Sequence, residues 1–461
     1  MTVLNLGVAD FARPLSDAET LDWRPPGDGD PGRAWRLARL MSGSAAARID
    51  AANRTAMERV LAAQPVLVDI ALHARDVWPD LGRRLLHAGP PIPWQKMCAP
   101  MQGAAIGAVI YEGWAEDAKA AEALLASGAV PMSPCHDRAA VGPMAGIVSS
   151  SMPLWVARNA DRGNLAYTNF SEGIGRVLRF GANGPDVIER LRWVERVLAP
   201  GLKAALARIP GGVNLKSIQS QALLMGDEVH SRNAAATMLF LQQIAAPLFE
   251  CSIPAADKSA IHGFIAATGQ FFLNLSMVAA KAIMDAGHGV ADASLVTAMA
   301  RNGVNVGIRV SGLGQAWFEA PAGMPDGLYF PGFKPGDANP DLGDSAITET
   351  AGYGGFSLAA SPALVQLVGG TVEAAFAASR EMLHITLGRN PAMTIPALDF
   401  GGAPIGIDPR KVVDSGIRPI ITTGMAHRQA GIGQVGAGIV RAPMGCFLGA
   451  IDALAAKLGV A

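Results

Sequence analysis

One short polar stretch holds several side chains that could do chemistry. It reads SPCHDRAAVGPMAG and spans residues 133–146. A thiol (Cys135), an imidazole (His136), a carboxylate (Asp137) and a guanidinium (Arg138) follow one another, and glycines and a proline shape the backbone after them. These residue types could form a metal site, a nucleophile with its base, or a cradle for a small anion.

The spacing disfavours a transition-metal site. Adjacent side chains point in different directions, and His230, His384 and His427 each stand alone in the sequence. There is no H-E-x-x-H motif and no pair of closely spaced cysteines, which zinc sites use. We therefore predict no cofactor. A hard cation such as Mg²⁺ is left open, because its oxygen ligands leave little trace in a sequence.

A cysteine nucleophile is also disfavoured. Cys135 is adjacent to His136 in sequence, but a base must meet its nucleophile in space. The chain has no G-x-S-x-G elbow that would present a serine instead. We interpret Cys135 as a structural thiol, His136 and Arg138 as candidates for substrate contact, and Asp137 as the residue that orients one of them.

A pattern of polar, turn-rich loops recurs along the chain. Backbone N–H groups in such loops bind anions, and an arginine adds bidentate recognition of a carboxylate or phosphate. Four of the loops carry an arginine, namely Arg138, Arg232, Arg301 and Arg428. The six loops are residues 135–146, 168–175, 225–233, 300–305, 341–355 and 422–436.

We predict that these loops converge on one ligand site. The candidates for catalysis are His136, Arg138 and His230. The candidates for substrate binding are Asp137, Gly142, Asn169, Glu172, Glu228, Arg232, Asn233, Arg301, Asn302, Asp344, Thr348, Glu349, Thr423 and His427. Any single loop also has a structural interpretation. Ser231 could cap a helix, and Glu228 could form a local ion pair with Arg232.

A nucleotide site has weak support. Gly431, Gly433 and Gly436 spell G-x-G-x-x-G after a predicted strand. The dinucleotide fingerprint also needs a helix opening inside the motif and an acidic residue about 20 positions later. Pro443 follows too soon for such a helix, and there is no G-x-x-x-x-G-K-[ST] motif.

Composition narrows the class of protein. The 461 residues carry a net charge of -1 and only 17% charged residues, with no basic stripe. Nucleic-acid binding is therefore not expected. The four cysteines form no C-x-x-C motif and the start lacks a signal-peptide pattern, which favours a cytoplasmic protein. The apolar run at residues 263–280 contains polar side chains, so we predict a buried helix and not a membrane span.

The element pattern predicts a multi-domain α+β fold. Alternating apolar runs and helical periods predict an α/β domain over residues 1–130. Helical periodicity dominates residues 185–302, with a break expected at Pro200. Glycine-rich, strand-like segments predict a third, ligand-binding α/β domain, made of residues 131–184 and 303–461.

Long segments of the chain resemble the family of YlbE, YahG and AllG. The resemblance is carried by CHDRAAVGPMAG, NFSEGIGRVLRFG, GDEVHSRNAA, ARNGVNVGIRVSGLG and GDSAITETAGYGGFSLAASPALVQLVGG. It extends from the predicted N-terminal strand to about Arg441.

The resemblance implies an α+β fold with a helical insert. It also implies that the chain is a subunit of an oxamate carbamoyltransferase, working with an FdrA-like protein and a third small subunit. That activity interconverts carbamoyl phosphate plus oxamate with oxalurate plus phosphate in purine (allantoin) nitrogen catabolism. The S-T-R-T and H-P-x-Q motifs of aspartate and ornithine transcarbamoylases are absent here, so carbamoyl transfer would need a different site.

Two other functions stay open from the sequence. The chain could be a non-catalytic substrate-binding or scaffold partner, with the chemistry held by the FdrA-like protein. It could also be a hydrolase of a ureido or amide acid. An oligomer is expected from the apolar composition.

Overall fold

The computed structural model describes residues 30–460. Several small sheets pack with helices, which confirms the predicted α+β class. The helices in this range are α1 (Pro31–Met41), α2 (Gly43–Ala62), α3 (Ala74–Val77), α4 (Ala99–Tyr111), α5 (Ala118–Ala126), α6 (Pro185–Trp193), α7 (Ala199–Leu206), α8 (Leu215–Leu224), α9 (Ala234–Glu250), α10 (Ala255–Ala267), α11 (Leu273–Ala286), α12 (Ile347–Thr350), α13 (Val365–Val368), α14 (Val372–Glu381), α15 (Pro409–Ser415) and α16 (Met444–Leu458).

The strands are mostly short. They are β1 (Pro65–Ala71), β2 (Leu85–His87), β3 (Met132–Pro134), β4 (Ala140–Val141), β5 (Ile147–Val148), β6 (Leu154–Asn159), β7 (Leu165–Thr168), β8 (Val213–Asn214), β9 (Val296–Asn302), β10 (Asn305–Val310), β11 (Phe318–Pro321), β12 (Asp326–Tyr329), β13 (Leu342–Gly343), β14 (Thr386–Ile395), β15 (Gly401–Ile407), β16 (Ile420–Ala426) and β17 (Gln434–Arg441). The strand predicted within the first ten residues lies outside the described part of the chain.

The strands form sheets in the orders β4-β7-β6-β1-β8, β11-β10-β9-β13, β12-β17-β16, β14-β15 and β3-β2-β5. The first sheet crosses the predicted domain boundaries. Its β1 pairs antiparallel with β6 on one side and with β8 on the other, so it joins strands from residues 1–130, 131–184 and 185–302. Cross-strand partners are set by tertiary contacts that a local pattern does not carry. The domain division therefore stays a prediction.

The helical middle segment ends earlier than predicted. Helices α6 to α11 dominate residues 185–286, which also contain the short strand β8, but β9 is a strand in which every residue is buried. The apolar residues of β9, at positions 296 and 298–300, form too short a run to be assigned to strand or helix by periodicity alone, which explains the wrong prediction there. The apolar run at residues 263–280 is likewise split, because a turn separates α10 from α11.

Pro200 does not break its helix. A π-helical turn, Val194–Leu198, joins α6 directly to α7, and the backbone stays in the right-handed helical region at both of its ends. A proline inside a helix removes one donor and clashes with the carbonyl four residues earlier. The wider turn just before Pro200 accommodates this conflict, so the predicted break is wrong.

Helix α11 lies at the centre of the molecule. Twelve of its residues are buried, including Asn274 and Lys281, and it packs on β6, β7 and α12. A helix that is buried on all sides must bring partners for its polar side chains. Asn274 donates to the backbone and side-chain oxygens of Asn169 at 2.7 and 3.0 Å, and Lys281 lies 2.7 Å from Asp285.

Candidate functional site

Four of the six predicted loops meet around one small cavity, which we call the central cavity. Its volume is about 30 Å³. It is lined by Met144, Arg179, Phe180, His230, Ser231, Gln270, Leu273, Ser345, Leu367, Gly424, Gln434 and Ala437. The other two loops lie one contact away. Arg179 donates to the carbonyl of Gly173 at 2.8 Å, and Arg301 donates to Ser345 Oγ at 3.3 Å.

A buried histidine–glutamate pair lies at the central cavity, and His230 is the member of the pair that lines it. His230 lies in the loop between α8 and α9, and its Nδ1 is 2.7 Å from Glu349 Oε1 on α12. The Glu349 carboxylate also accepts from the backbone N–H groups of Thr422 and Gly355 at 3.1 and 3.2 Å. A carboxylate held by such donors accepts the Nδ1 proton, which leaves Nε2 of His230 as the basic nitrogen. Thr348 adds a hydroxyl bond to Glu349 Oε2 at 3.0 Å.

A second carboxyl group lies behind this pair. Glu228 is fully buried and accepts from the backbone N–H groups of His230 and Arg232 at 2.7 and 2.8 Å. Burial, together with the nearby charge of Glu349, raises the pKa of Glu228 to about 8. The predicted ion pair between Glu228 and Arg232 is wrong, because the Arg232 guanidinium lies 3.3 Å from Asp227. Glu228 thus fixes the backbone of the His230 loop.

Ser231 offers an unpaired hydroxyl at the central cavity. Its Oγ is buried and makes no hydrogen bond to any residue in the described range. The predicted helix-capping role is wrong, because Asn233 occupies the N-cap position of α9, where no side-chain cap bond forms. Asn233 instead donates to the carbonyl of His230 at 2.6 Å. Gln270 holds the same loop by donating to the carbonyl of Ser231 at 2.7 Å.

Arg179 is the cavity's guanidinium, and the sequence reasoning missed it. It lies in a 3-10 turn, Leu178–Phe180, and is 8% exposed. Burial lowers the pKa of Arg179, and the charge of Glu172 opposes that change. An arginine inside an apolar segment was the available signal, because such a side chain is rarely buried without a partner or a role. Ser345, Gln270 and Gln434 were also missed.

The opening stretch at residues 133–146 faces two directions. Met144 reaches the central cavity, whereas His136 and Asp137 line a separate cavity that we call the lateral cavity. Arg138 contacts neither, because it pairs with Asp80 at 2.5 Å on the surface. The prediction of one shared site for His136, Arg138 and His230 is therefore wrong in geometry. Burial raises the pKa of the Cys135 thiol well above its usual value, which agrees with a structural thiol.

Asp344 is a buried carboxyl group close to His136. Its carboxyl accepts from the backbone N–H groups of Gly89 and Gly142 at 2.7 and 2.9 Å, and its Oδ1 is 3.7 Å from His136 Nε2. Burial raises the pKa of Asp344 to about 7. Gly142 was predicted to bind substrate. Its backbone N–H instead donates to the Asp344 carboxyl group.

Three predicted binding residues lie in buried structural contacts. Arg301 is fully buried and forms a two-pronged pair with Asp341 at 2.8 and 3.1 Å. Thr423 donates to the same carboxylate at 2.9 Å. Asn302 accepts from the backbone N–H groups of Val304 and Asn305, which closes the turn between β9 and β10.

The remaining predicted residues do not line the central cavity. Asn169 and Glu172 line another small pocket, and burial raises the pKa of Glu172. Thr348 closes a turn by donating to the carbonyl of Ser345 at 2.6 Å. His427 accepts from the backbone N–H of Gln429 at 2.9 Å.

The glycine motif does not build a dinucleotide site. Gly431 and Gly433 form a turn with φ of +82° and +118°, and Gly436 is on β17. The motif therefore opens a strand, not the helix whose N-terminus would hold a pyrophosphate. Within residues 30–460, no group of three or more His, Cys, Asp or Glu side chains is arranged to hold a metal ion. None of the helices in that range combines the length and apolar character needed to cross a membrane.

Comparison with known proteins identifies the family. A family model described as oxamate carbamoyltransferase subunit AllG matches residues 130–345. The chain is 49% identical over 412 residues to oxamate carbamoyltransferase subunit AllG of Escherichia coli, covering 89% of this chain and 98% of that protein. This chain belongs to the AllG family.

Two further matches extend over most of the AllG-family fold. The uncharacterized protein YahG of Escherichia coli is 44% identical over 465 residues, covering 100% of this chain and 98% of YahG. A crystal structure of a conserved protein of unknown function from Enterococcus faecalis superposes with a TM-score of 0.88 at 45% identity. The superposition covers 90% of this chain and 99% of the Enterococcus faecalis chain. The resemblance seen in the sequence is thereby confirmed.

Proposed function

We propose that this chain is a subunit of a carbamoyltransferase complex. It moves a carbamoyl group between carbamoyl phosphate and a small amide acid such as oxamate, in allantoin-type nitrogen catabolism. The relative named as an oxamate carbamoyltransferase subunit supports the reaction class, since the identity covers 98% of that protein. The structural observation that carries the proposal is the convergence of Arg179, the His230–Glu349 pair and two serine hydroxyls on one cavity.

The reaction needs no protein nucleophile. The amide nitrogen of oxamate attacks the carbamoyl carbon, the bond from that carbon to the phosphate oxygen breaks, and phosphate leaves with the bonding electrons. The nitrogen loses one proton, and Nε2 of His230 is the base available in the cavity. Glu349 stabilises the imidazolium that forms. The products are oxalurate and phosphate, and the reverse reaction uses the same groups.

Arg179 and the serine hydroxyls supply recognition. A guanidinium binds a carboxylate through two parallel N–H bonds, which fits the carboxylate of oxamate. The hydroxyl groups of Ser231 and Ser345 can donate to the carbonyl oxygen that gains charge as the nitrogen attacks. Positioning and charge stabilisation would then supply most of the rate.

The size of the central cavity favours action within a complex. Its volume of about 30 Å³ is far below the roughly 300–1,000 Å³ typical of ligand pockets. Both substrates together do not fit this space, so we infer that binding of substrate or of partner subunits opens it. An FdrA-like protein and a third small subunit are the proposed partners. A rival assignment gives the chemistry to the FdrA-like protein and substrate binding alone to this chain.

The test is phosphate release from carbamoyl phosphate with oxamate, measured for the purified chain alone and with its co-expressed partners. In the complex, His230→Gln should lower kcat by about 100-fold or more, because general-base catalysis is worth about 10²–10⁴-fold. Arg179→Lys should mainly raise KM for oxamate. His262→Gln, at a half-buried histidine on α10, is the matched control and should leave both constants unchanged.

Two outcomes would contradict the proposal. Full activity of the complex with His230→Gln would assign the chemistry to a partner subunit. Breakdown of oxalurate by the chain alone, without phosphate, would make the protein a hydrolase.

A further inference from the structure

The lateral cavity is a second polar site. Its volume is about 310 Å³, and it shares no lining residue with the central cavity. Lys281 on α11 and Arg309 on β10 line it, and each of these residues is 4% exposed. The His136 side chain lines it too and is fully buried. Buried charged groups are expensive, so two buried cations beside a buried imidazole around one cavity need an explanation beyond packing.

Three nitrogen atoms of side chains around this cavity lack a hydrogen-bond partner in the described part of the chain. Both ring nitrogens of His136 and the Nε of Arg309 are buried without a hydrogen-bond partner among the described residues. Trp317 fixes both groups in place. Its ring lies 4.3 Å from the Arg309 guanidinium and meets the His136 imidazole edge-on at 5.5 Å. These groups are therefore held rigidly while donors remain available.

Charge is distributed unevenly from the floor of the cavity to its rim. The cations are buried, whereas their carboxylate partners are more exposed, Asp285 at 21% and Asp137 at 39%. Burial lowers the pKa of His136 far below its usual value, and the charges of Lys281 and Arg309 lower it further. Lys281 and Arg309 thus lie deeper than the carboxylates that pair with them, and this position favours a negative group at the floor. Because each cation already shares a carboxylate, the residual attraction suits one negative charge better than two.

We propose that the lateral cavity binds a small polar monocarboxylate, such as a hydroxy acid, between His136, Lys281 and Arg309. The carboxylate lies on the buried cations, and the polar end faces His288, Thr297 and Gln315, which also line the cavity. The site is distinct from the central cavity, because the two cavities share no lining residue. The proposal goes beyond the carbamoyltransferase assignment, and its test needs no turnover.

Histidine side-chain NMR can report on both cavities at once. The full chain is labelled at the imidazole carbons of its histidines and titrated with L-lactate, and resonances are assigned with single His→Gln variants. The resonances of His136 and His288 should move to saturation while that of His230 stays in place. L-lactamide, which lacks the carboxylate, should bind at least about tenfold more weakly, because hydrogen bonds to charged groups contribute about 1.5–3 kcal/mol. Inorganic phosphate is the dianion control and should also bind more weakly.

Two variants test the charges. Lys281→Met should weaken lactate binding by at least about tenfold, and Lys203→Met, which breaks an exposed ion pair with Asp69, should not change it. Asp285→Asn removes a negative charge from the rim and should tighten binding, so it gives an answer even if Lys281→Met folds poorly.

Several outcomes would overturn the proposal. They are no saturable shift, a shift confined to His230, equal binding of lactamide, or tighter binding of phosphate than of lactate.

Discussion

At the scale of single residues, Gly354 allows His230 and Glu349 to meet. Its backbone has φ +59°, a conformation that residues with a side chain rarely adopt. A Cβ added at this position would overlap Glu349 Oε1 and lie 3.1 Å from His230 Nδ1. The glycine N–H also donates to the carbonyl of Glu228 at 2.9 Å. Gly354 thus contacts Glu228 through its backbone and leaves the space in which Glu349 and His230 meet.

Gly354→Ala should therefore break the histidine–glutamate pair. Gly370→Ala is the matched control, because Gly370 has φ +89° but open space around its Cβ position. Both variants carry the backbone strain, whereas only Gly354→Ala adds overlap, which costs about 1–3 kcal/mol. Urea unfolding should show that difference in the free energy of unfolding, and the His230 imidazole resonance should shift only in Gly354→Ala. Equal destabilisation with an unmoved resonance would show that the pair tolerates the methyl group.

The sequence predicted which loops lie near the central cavity better than it predicted which of their side chains face it. His230 reaches the central cavity and Glu349 bonds to it, and both were in the predicted set. Arg138 and Arg301 were in the same set, but their charges are taken up by Asp80 and Asp341. Whether an arginine faces a ligand or a carboxylate depends on residues 40 or more positions away. Local composition does not contain that information.

At the scale of secondary-structure elements, Lys216 closes a helix end. Its ammonium, on α8, donates to the carbonyls of Leu61 and Ala63 at the C-terminal end of α2, at 2.9 and 3.0 Å. The last carbonyls of a helix have no partner within the helix. Burial lowers the pKa of Lys216, because it disfavours the charged ammonium. The two hydrogen bonds to the carbonyls offset this loss of hydration.

Lys216→Met should destabilise the protein by about 1–3 kcal/mol, because it leaves buried carbonyls without a partner. Lys258→Met is the comparison, because Lys258 donates to the carbonyl of Phe249 near the end of α9 in an exposed position. Its loss should change the free energy of unfolding by no more than about 0.5 kcal/mol. Chemical denaturation of both variants measures the difference, and equal effects would show that burial of the helix end does not matter.

Element types were more predictable than their boundaries. Helix α5, with Asp117 capping its N-terminus, and the hairpin of β6 and β7 follow their local patterns. The π turn before Pro200 and the strand β9 do not. The π turn depends on how the chain relieves a steric clash, and β9 depends on burial between β10 and β13. Tertiary packing decides both conformations, and local sequence propensities do not predict it.

At the scale of the whole molecule, buried carboxyl groups couple stability to pH. The pKa of Glu228 is raised to about 8 and that of Asp344 to about 7. Between about pH 6.5 and 8 the unfolded chain has ionised both groups, while the folded chain still holds part of their protons. The folded state then binds more protons, so the free energy of unfolding falls as pH rises. Buried histidines with lowered pKa values, such as His136, act in the opposite direction, but only below their usual value near 6.5.

Urea unfolding from pH 6.5 to 8 should therefore show a decreasing free energy of unfolding. The slope is at most about 1.4 kcal/mol per pH unit for each proton. Glu228→Gln should flatten the slope, whatever its effect on absolute stability, because an amide does not titrate. Glu250→Gln changes an exposed glutamate and should leave the slope as it is. A slope unchanged by Glu228→Gln would assign the pH dependence to other groups.

The walls of the central cavity have a consequence for how the protein is made. They come from residues as far apart as Met144 and Ala437, so a growing chain on the ribosome cannot complete the cavity until β17 has been synthesised. Contacts between residues so distant in sequence form late in folding, because the intervening chain must first lose its freedom. Any ligand of the central cavity can then bind only a finished chain, and a partner that recognised the assembled cavity would select against incomplete chains.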